Sequence, residues 1–426
     1  MQTMAVRLSD WYAAQDPRRQ RRLIAGLFML LQAFIWLVLF KVLWYGDKTI
    51  TDTPVYYEYA GRIAAGMMPY RDFSSEYPPV AMLLFSLPRL FSGSSYRLFV
   101  FWFEVEMLVF SLGIIALLTL LAGRLYRSNS RVALTLALYT LFVLSLGSIV
   151  QARFDIAVAF LILACITLFA LGRQLPAWAL LGLGIMTKIV PVLIGPLFLI
   201  AHWRRRQYGD LWRGPAVALL AAAVVSLPFL LAAPAGLAGS FLYHVERPLQ
   251  IESSWASPLL LAHNFSGYAV RIMNSYGSHN VFASLSDSFA FLSGPVTVLL
   301  LLAGYRLYWR RGFDGMGGWS RESLIRFAAI AMATFIVGGK VFSPQFMIWL
   351  LPLLPLLTSR KDPWPGAIYW VALVLTQWEF PYRYWELYLM RQGMVVEVAM
   401  RNLTLAVMVT LLVLFSRPRD EDVRWR

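Results

Sequence analysis

The sequence predicts an all-α polytopic membrane protein, a bundle of about ten to twelve transmembrane helices with short interfacial helices in its outer loops. Three observations carry that expectation. The 426-residue chain is 59% hydrophobic and 15% aromatic, and only 14% of it is charged, well below the roughly 25% of soluble proteins. Apolar stretches alternate with short polar loops along the whole length. The basic residues sort to alternate loops: Arg18, Arg19, Arg21 and Arg22, then Arg204 to Arg206, then Arg310 and Arg311. The positive-inside rule puts those loops and both termini in the cytoplasm and turns the acidic loops outward. The net charge of +15 then reads as span-end anchors facing anionic headgroups, so membrane lipids rather than nucleic acid are the expected partners.

The first apolar run opens after Arg22, is long enough to span, and has no small-residue cleavage site before Asp47. It is expected to remain as a first span from about Leu23 to Tyr45. The outer loop 46–96 contains a short Pro-bounded apolar stretch, Val80 to Phe91, which fits an interfacial or re-entrant helix. A second span returns over about Leu98 to Ala122. Spans at Val132 to Val150 and Ile156 to Gly172 form a hairpin that turns outside at Gln151 to Asp155. Pro176 to Trp203 begins and ends beside cytoplasmic arginines yet is too short for two crossings of about 20 residues. Two short helices meeting partway across the membrane resolve this, with Lys188 and Pro191 where they meet. A span at Pro215 to Ala233 leads to the second outer loop, 234–287. Further spans are expected near Phe289 to Tyr305, Ile325 to Gly339, Phe342 to Thr358, Pro365 to Trp378 and Val395 to Phe415, with a cytoplasmic tail from Arg417. No repeat or soluble insert is visible, and residues 1–426 read as one transmembrane domain. The lone Cys165 lies inside an apolar run, which excludes an intrachain disulfide or a cysteine metal site.

Polar residues gather on the outer face. Asp52 precedes a short helix with tyrosines, Tyr56 among them, and can serve either as its cap or as a general base at the water–lipid boundary. Tyr70, Arg71, Asp72 and Glu76 follow in the same loop. Arg153 and Asp155 flank a tight turn, where pairing with each other is the plainer role. Glu246, Arg247, Gln250 and Glu252 cluster in the second outer loop, and Lys340, Ser343 and Gln345 stand where a span begins. Lys188 differs from these, because an ammonium at half depth is costly unless paired and marks function by default. Arg153, Lys188, Arg247 and Lys340 together form a positive rim suited to a lipid phosphate. His244, His263 and His279 lack metal-ligand spacing, but one of them could be a base.

Asp52 after the first span, Gly66-x-x-Pro69-Tyr70-x-Asp72, Glu76-Tyr77-Pro78-Pro79, Arg153-x-Asp155, Lys188-x-x-Pro191 and Ser343-Pro344-Gln345 occur in that order. This pattern resembles the GT-C membrane glycosyltransferases, in particular glycosyltransferase family 87, the polyprenol-phosphate-mannose-dependent mannosyltransferases. The resemblance implies a GT-C-type bundle in a bacterial inner membrane, with its active site on the extracytoplasmic face between outer loops 46–96 and 234–287. It implies transfer of a sugar, mannose or another hexose, from a polyprenyl-phosphate donor to a lipid or glycan acceptor, with inversion. Asp52 takes the role of the catalytic carboxylate, with Glu76 and His244 as alternative bases. Lys188, Arg247 and Lys340 become candidates for the donor phosphate. Tyr56, Tyr70, Arg71, Asp72, Arg153, Asp155, Gln250, Glu252, Ser343 and Gln345 are candidate substrate contacts. No cofactor is required in principle, and a divalent metal held by outer carboxylates stays an open alternative. One departure is visible: many relatives carry Ser-Pro-x-Ser-Trp followed by histidines where this chain reads Ser343-Pro344-Gln345-Phe346-Met347-Ile348-Trp349. Two rival functions remain: a transporter or flippase binding substrate at Lys188, and a glycan polymerase or ligase using a polyprenyl-diphosphate donor.

Overall fold

The structure, a computed structural model, describes residues 14–43, 50–313 and 319–416. The start of the first outer loop and the expected cytoplasmic tail from Arg417 lie outside the described residues. The chain is an all-α polytopic membrane protein. Six of the described helices are long and apolar enough to cross a membrane: Pro17–Val42 (α1), Tyr96–Leu125, Asn129–Leu146, Asp210–Ala232, Ser286–Arg311 and Gln392–Leu414. Between α1 and the next of these come α2 (Thr53–Ala64), α3 (Pro79–Ser86) and α4 (Arg89–Ser92). Tyr96–Leu125 is α5 and Asn129–Leu146 is α6; α7 (Ile149–Ala152) and α8 (Asp155–Ala170) follow across the Arg153 turn. Then come α9 (Gln174–Ile185), a 3-10 turn at Val190–Ile194, α10 (Gly195–Arg204), α11 (Asp210–Ala232), α12 (Pro234–Glu246) and α13 (Ser257–Ser266). After a β-hairpin the chain continues as α14 (Ser286–Arg311) and α15 (Arg321–Gly338), and a 3-10 segment Pro344–Leu350 leads to α16 (Leu354–Leu357). It ends in α17 (Trp364–Glu379), α18 (Tyr384–Tyr388) and α19 (Gln392–Leu414).

Several apolar runs that the sequence suggests as spans are shorter or broken. The clearest is Phe342 to Thr358, which forms a 3-10 segment and a single α-turn instead of one helix. Pro344, Pro352 and Pro355 explain this, since each lacks an N–H and clashes with the preceding turn. The expected pair of half-length helices is present: α9 has 12 residues, so it rises only about 18 Å, and the chain turns at Thr187–Lys188 before α10 descends. Two glycines let α9 press against α11. A Cβ on Gly182 would sit 2.2 Å from the Ala218 carbonyl, and one on Gly214 would sit 2.2 Å from the Trp178 indole nitrogen. Small residues at such crossings let backbones approach closely within a membrane.

The second outer loop is not irregular. Beyond α12 and α13 it carries an antiparallel hairpin, β1 (Arg271–Ser275) against β2 (Ser278–Phe282). Tyr276 and Gly277 both have positive φ, 53° and 62°, the backbone that a two-residue type I′ hairpin turn demands. Leu249 and Ile251 extend this pairing, with Val281 N–H on the Leu249 carbonyl and Ile251 N–H on that of His279.

The loops divide into two sets that contact only their own kind in the interactions described here. At the basic end, Arg21 reaches Gly123 and Asn129, Arg131 reaches Thr358, Arg321 reaches Ala170 and Arg311 reaches Val413. At the other end, Asp52 meets Arg153, His244 meets Glu76, Lys340 meets Val245 and His279 meets Tyr384. Alternating loops therefore sort to opposite ends of the bundle, as the charge pattern requires.

Candidate active site

Asp52 stands at the start of α2, where Pro54 in the first turn sets a helical φ without wasting an N–H. It occupies the cap position, but its backbone (φ −92°, ψ −1°) is helical and its side chain makes no cap bond. A side-chain cap needs extended backbone at that residue. The carboxylate turns instead to an ion pair with Arg153 and lies 3.5 Å from the Tyr56 hydroxyl. Tyr56 is fully buried, stacked on Phe85 and edge-on to Tyr77 and Phe154. Asp52 keeps 33% of its side chain exposed, whereas that of Arg153 is buried at 6%. Burial brings the Arg153 guanidinium down to about 10, which leaves it charged at neutral pH. α1 helps to place this pair: its helix passes through a π-turn at Ile35–Leu39, and the Trp36 carbonyl there accepts the Gln151 amide at 2.7 Å.

Arg153 and Asp155 do not pair with each other as their spacing suggests. Asp155 opens α8, a favourable place for a carboxylate, and points the other way. Its Oδ1 accepts both Lys188 Nζ and Trp349 Nε1–H, each at 2.7 Å. Lys188 is therefore a paired ammonium, and it is further caged by the rings of Phe154, Phe346 and Trp349 at 4.9, 5.4 and 5.2 Å. One-fifth of its side chain is exposed. Lys188 lies within electrostatic reach of Arg153 and Arg247, and Arg247 within reach of Lys340. The positive rim read from the sequence is thus assembled in space.

Glu76 and His244 close the opposite side. The Glu76 carboxylate accepts the Tyr59 hydroxyl at 2.8 Å, and its carbonyl lies 3.2 Å from His244 Nε2. Burial, with Arg247 adding to it, pulls His244 down to about 4. That ring is neutral at pH 7 but a weak base. Arg247 donates to Ser278 at 3.0 Å, and Lys340 to the Val245 carbonyl at 2.6 Å. Gln250 bridges Glu252 (2.8 Å) and Ser343 (3.3 Å), and its carbonyl oxygen accepts Phe342 N–H. Glu252 is buried and faces Arg401, whose guanidinium is shared with Glu379 at 3.3 Å and lies over the Phe342 ring at 4.2 Å. Gln345 is half-buried on the 3-10 segment beside Phe346.

The Tyr70–Asp72 turn braces the outer loop. Tyr70 is buried at φ 68°, and its hydroxyl donates to the Tyr77 carbonyl at 2.6 Å. Arg71 forks onto Asp72, which also accepts Met68 N–H. The Arg71 fork, with the Met68 bond, holds the Asp72 carboxyl down at about 2, far too low for a base. Sequence reasoning passed over Tyr59, Glu379, Tyr384 and Asn402. Trp349 enters the sequence pattern only as the end of the Ser343–Trp349 stretch, and Arg401 lies outside the motifs altogether. For Arg401 the signal existed, since a charged residue in the middle of an apolar run marks a polar interior. Among the described residues, no three or more His, Cys, Asp or Glu side chains are grouped to hold a metal ion.

These features define a polytopic membrane protein with a buried, charge-paired polar site at one end of its helical bundle. The glycosyltransferase family 87 model matches residues 76–344, more than half of the chain, and the protein belongs to glycosyltransferase family 87. It is thus a membrane glycosyltransferase. Glu76 opens the matched segment and Ser343–Pro344 closes it, while Asp52 stands ahead of it. No curated protein matches the chain.

Proposed function

We propose that this glycosyltransferase moves a hexose, with mannose the first candidate, from a polyprenyl phosphate to a hydroxyl of a lipid or glycan acceptor. The proposed setting is a GT-C-type bundle crossing a bacterial inner membrane many times, with cytoplasmic termini and the site on the extracytoplasmic face. One observation carries the proposal. A carboxylate one-third exposed, Asp52, is ion-paired to Arg153, and Arg153 lies within reach of Lys188 beside Arg247. A base thus adjoins a cluster of cations, as attack by a hydroxyl with departure of a phosphate requires.

In the proposed step the acceptor oxygen attacks the anomeric carbon and its proton passes to Asp52. The bond from that carbon to the phosphate oxygen breaks, and its electron pair leaves with the phosphate. Lys188, Arg247 and Lys340 stabilise that developing charge, and a single displacement inverts the carbon. No metal is needed to balance this step. The break at Lys188, which brings that lysine to Asp155 beside the outer Arg153 turn, also suits a lipid-borne donor, whose phosphate sits at the headgroup layer while its chain stays in the bilayer.

The test is sugar release by the purified protein from defined polyprenyl-phosphate hexoses, with Asp52→Asn as comparison. Loss of a general base typically costs 10²–10⁴-fold. Asp52→Asn is expected to fold, bind donor and lose activity in that range. Near-normal turnover by Asp52→Asn would move the base to Glu76, and hydrolysis of nucleotide sugars only would refute the donor class.

A further inference from the structure

The far end of α14 carries a second polar feature that plays no part in the site. From Ser286, near the hairpin, to Arg310, the helix rises about 36 Å. There Arg306 and Arg310 stand one turn apart and, with Ile200, Tyr305 and Trp309, line a groove of about 430 Å³ between α10 and α14. Arg204 of α10 approaches the same place, with its guanidinium 5.7 Å from the Trp309 ring centre. Its Nε is buried without a hydrogen-bond partner among the described residues. Among those residues none of these three arginines pairs with a carboxylate. Exposed aromatic rings adjoin the groove: Trp203, at 52%, lies against Trp309, and Tyr208, at 54%, lies against Trp203.

We propose that this groove holds the phosphodiester headgroup of an anionic membrane phospholipid, at the end of the bundle opposite the active site. Guanidinium forks match phosphate oxygens and make charge-assisted bonds. Unpaired arginines clustered at one groove leave a positive field that a phosphate neutralises. The flanking Trp and Tyr side chains have the amphipathic character of headgroup-layer anchors, so the occupant brings acyl chains with it, and free phosphate would leave those rings unused. The turns of α14 before Arg306 expose apolar side chains, Leu299 and Leu302 among them, along which acyl chains can lie. This inference stands independently of the donor, sugar and acceptor proposed above.

The full-length protein, purified in phosphatidylcholine-containing micelles, is offered phosphatidylglycerol, and bound lipid is counted by native mass spectrometry. Phosphatidylglycerol is expected to remain bound and phosphatidylcholine to be lost. The double variant Arg306→Gln/Arg310→Gln, altered only at exposed side chains, should retain phosphatidylglycerol at least about tenfold less well. Arg306→Lys/Arg310→Lys, which keeps the charge, should fall between the two. Equal retention by the glutamine variant and the parent would overturn the proposal, as would retention by the lysine variant no better than by the glutamine one. Displacement of the lipid by inorganic phosphate at equal concentration would also overturn it, because the headgroup alone would then account for binding.

Discussion

Asp155 and Lys188 form a buried pair whose two ends can be removed separately or together, and the comparison separates a structural lysine from a donor-binding one. In Asp155→Asn the amide oxygen still accepts Trp349 Nε1–H, but Lys188 loses the carboxylate 2.7 Å away and keeps Arg153 and Arg247 as repulsive neighbours. Breaking a buried pair typically costs about 3–5 kcal/mol. The one-fifth exposure of Lys188 admits water, so Asp155→Asn belongs near the lower end, about 3 kcal/mol. Lys188→Met strands Asp155, whose side chain is 1% exposed, and belongs nearer the upper end. The double variant Lys188→Met/Asp155→Asn strands neither charge. It should cost far less than the sum, with a coupling of about 2–3 kcal/mol. The assay is denaturant unfolding of all four proteins in mixed micelles, followed by donor turnover in the same preparations. A lysine present only to neutralise Asp155 would leave the stable double variant active. A lysine that holds the donor phosphate leaves it stable and at least about tenfold slower. Additivity within about 0.5 kcal/mol would refute the pairing, and full turnover by the double variant would refute the donor role.

Three further predictions concern the surrounding network and the orientation. Burial pushes Glu252 up to about 7, against the pull of Arg401 and Arg153, so the folded state holds its proton more tightly than the unfolded chain does. That contribution is fully present below the unfolded carboxyl's range and lost as pH rises through about 7. Glu252→Gln should flatten the fall in unfolding midpoint between pH 5 and 8, and parallel pH profiles would contradict this. Arg401→Met leaves Glu252 and Glu379 facing each other without their cation and should cost about 3–5 kcal/mol. Adding Glu379→Gln should recover part of that loss in the same unfolding assay, and no recovery would count against the shared guanidinium. Cysteines introduced at the exposed positions Ser74 and Asn274 should react with an impermeant thiol reagent on intact cells, and one at Gly209 should not; the native Cys165 is buried. Labelling at Gly209 alone would invert the orientation.

What the sequence reveals and what it hides follow one division. Local patterns predict the helices: apolar runs between Arg clusters, Pro54 in the first turn of α2, and the short stretch around Lys188 that cannot cross twice. Polar residues that are expensive where they stand, such as Asp52 and Lys188, are also visible. Their partners are not, because those lie far away in the chain. Asp52 finds Arg153 about a hundred residues on, and Asp155 finds Trp349 from a segment nearly two hundred residues later. Adjacent Arg153 and Asp155 suggest each other, yet the turn between α7 and α8 sends their side chains apart. The hairpin at Tyr276–Gly277 is not legible in the sequence, because the turn residues sit in a polar loop with no clean alternation on either side. Prolines 344, 352 and 355 were legible as helix breakers, but the apolar composition around them suggested a span.

The breaks and the charges share one explanation. Backbone that leaves the helix within a membrane must satisfy its polar groups inside the protein, so breaks gather where other polar groups already are. The chain interrupts itself at Ala152–Phe154, at Thr187–Lys188 and at Gly339–Ser343, and α17 ends at Glu379. These four places hold Arg153, Lys188, Lys340 and Glu379. Hydrogen bonds join them to the second outer loop: Gln250 N–H donates to the Lys340 carbonyl, and the Gln250 side chain accepts Phe342 N–H. Val80 N–H donates to the Met186 carbonyl, tying the first outer loop to the Lys188 break. Continuous helices would carry each cation past the site on a separate turn. Interrupted ones stop Arg153 beside Asp52 and Lys188 beside Asp155, with backbone amides and carbonyls at hand to hold the loops that bring Glu76 and His244. The short helices that look like failed spans are therefore what allows Arg153 and Lys188, carried by two separate breaks, to meet Asp52 and Asp155.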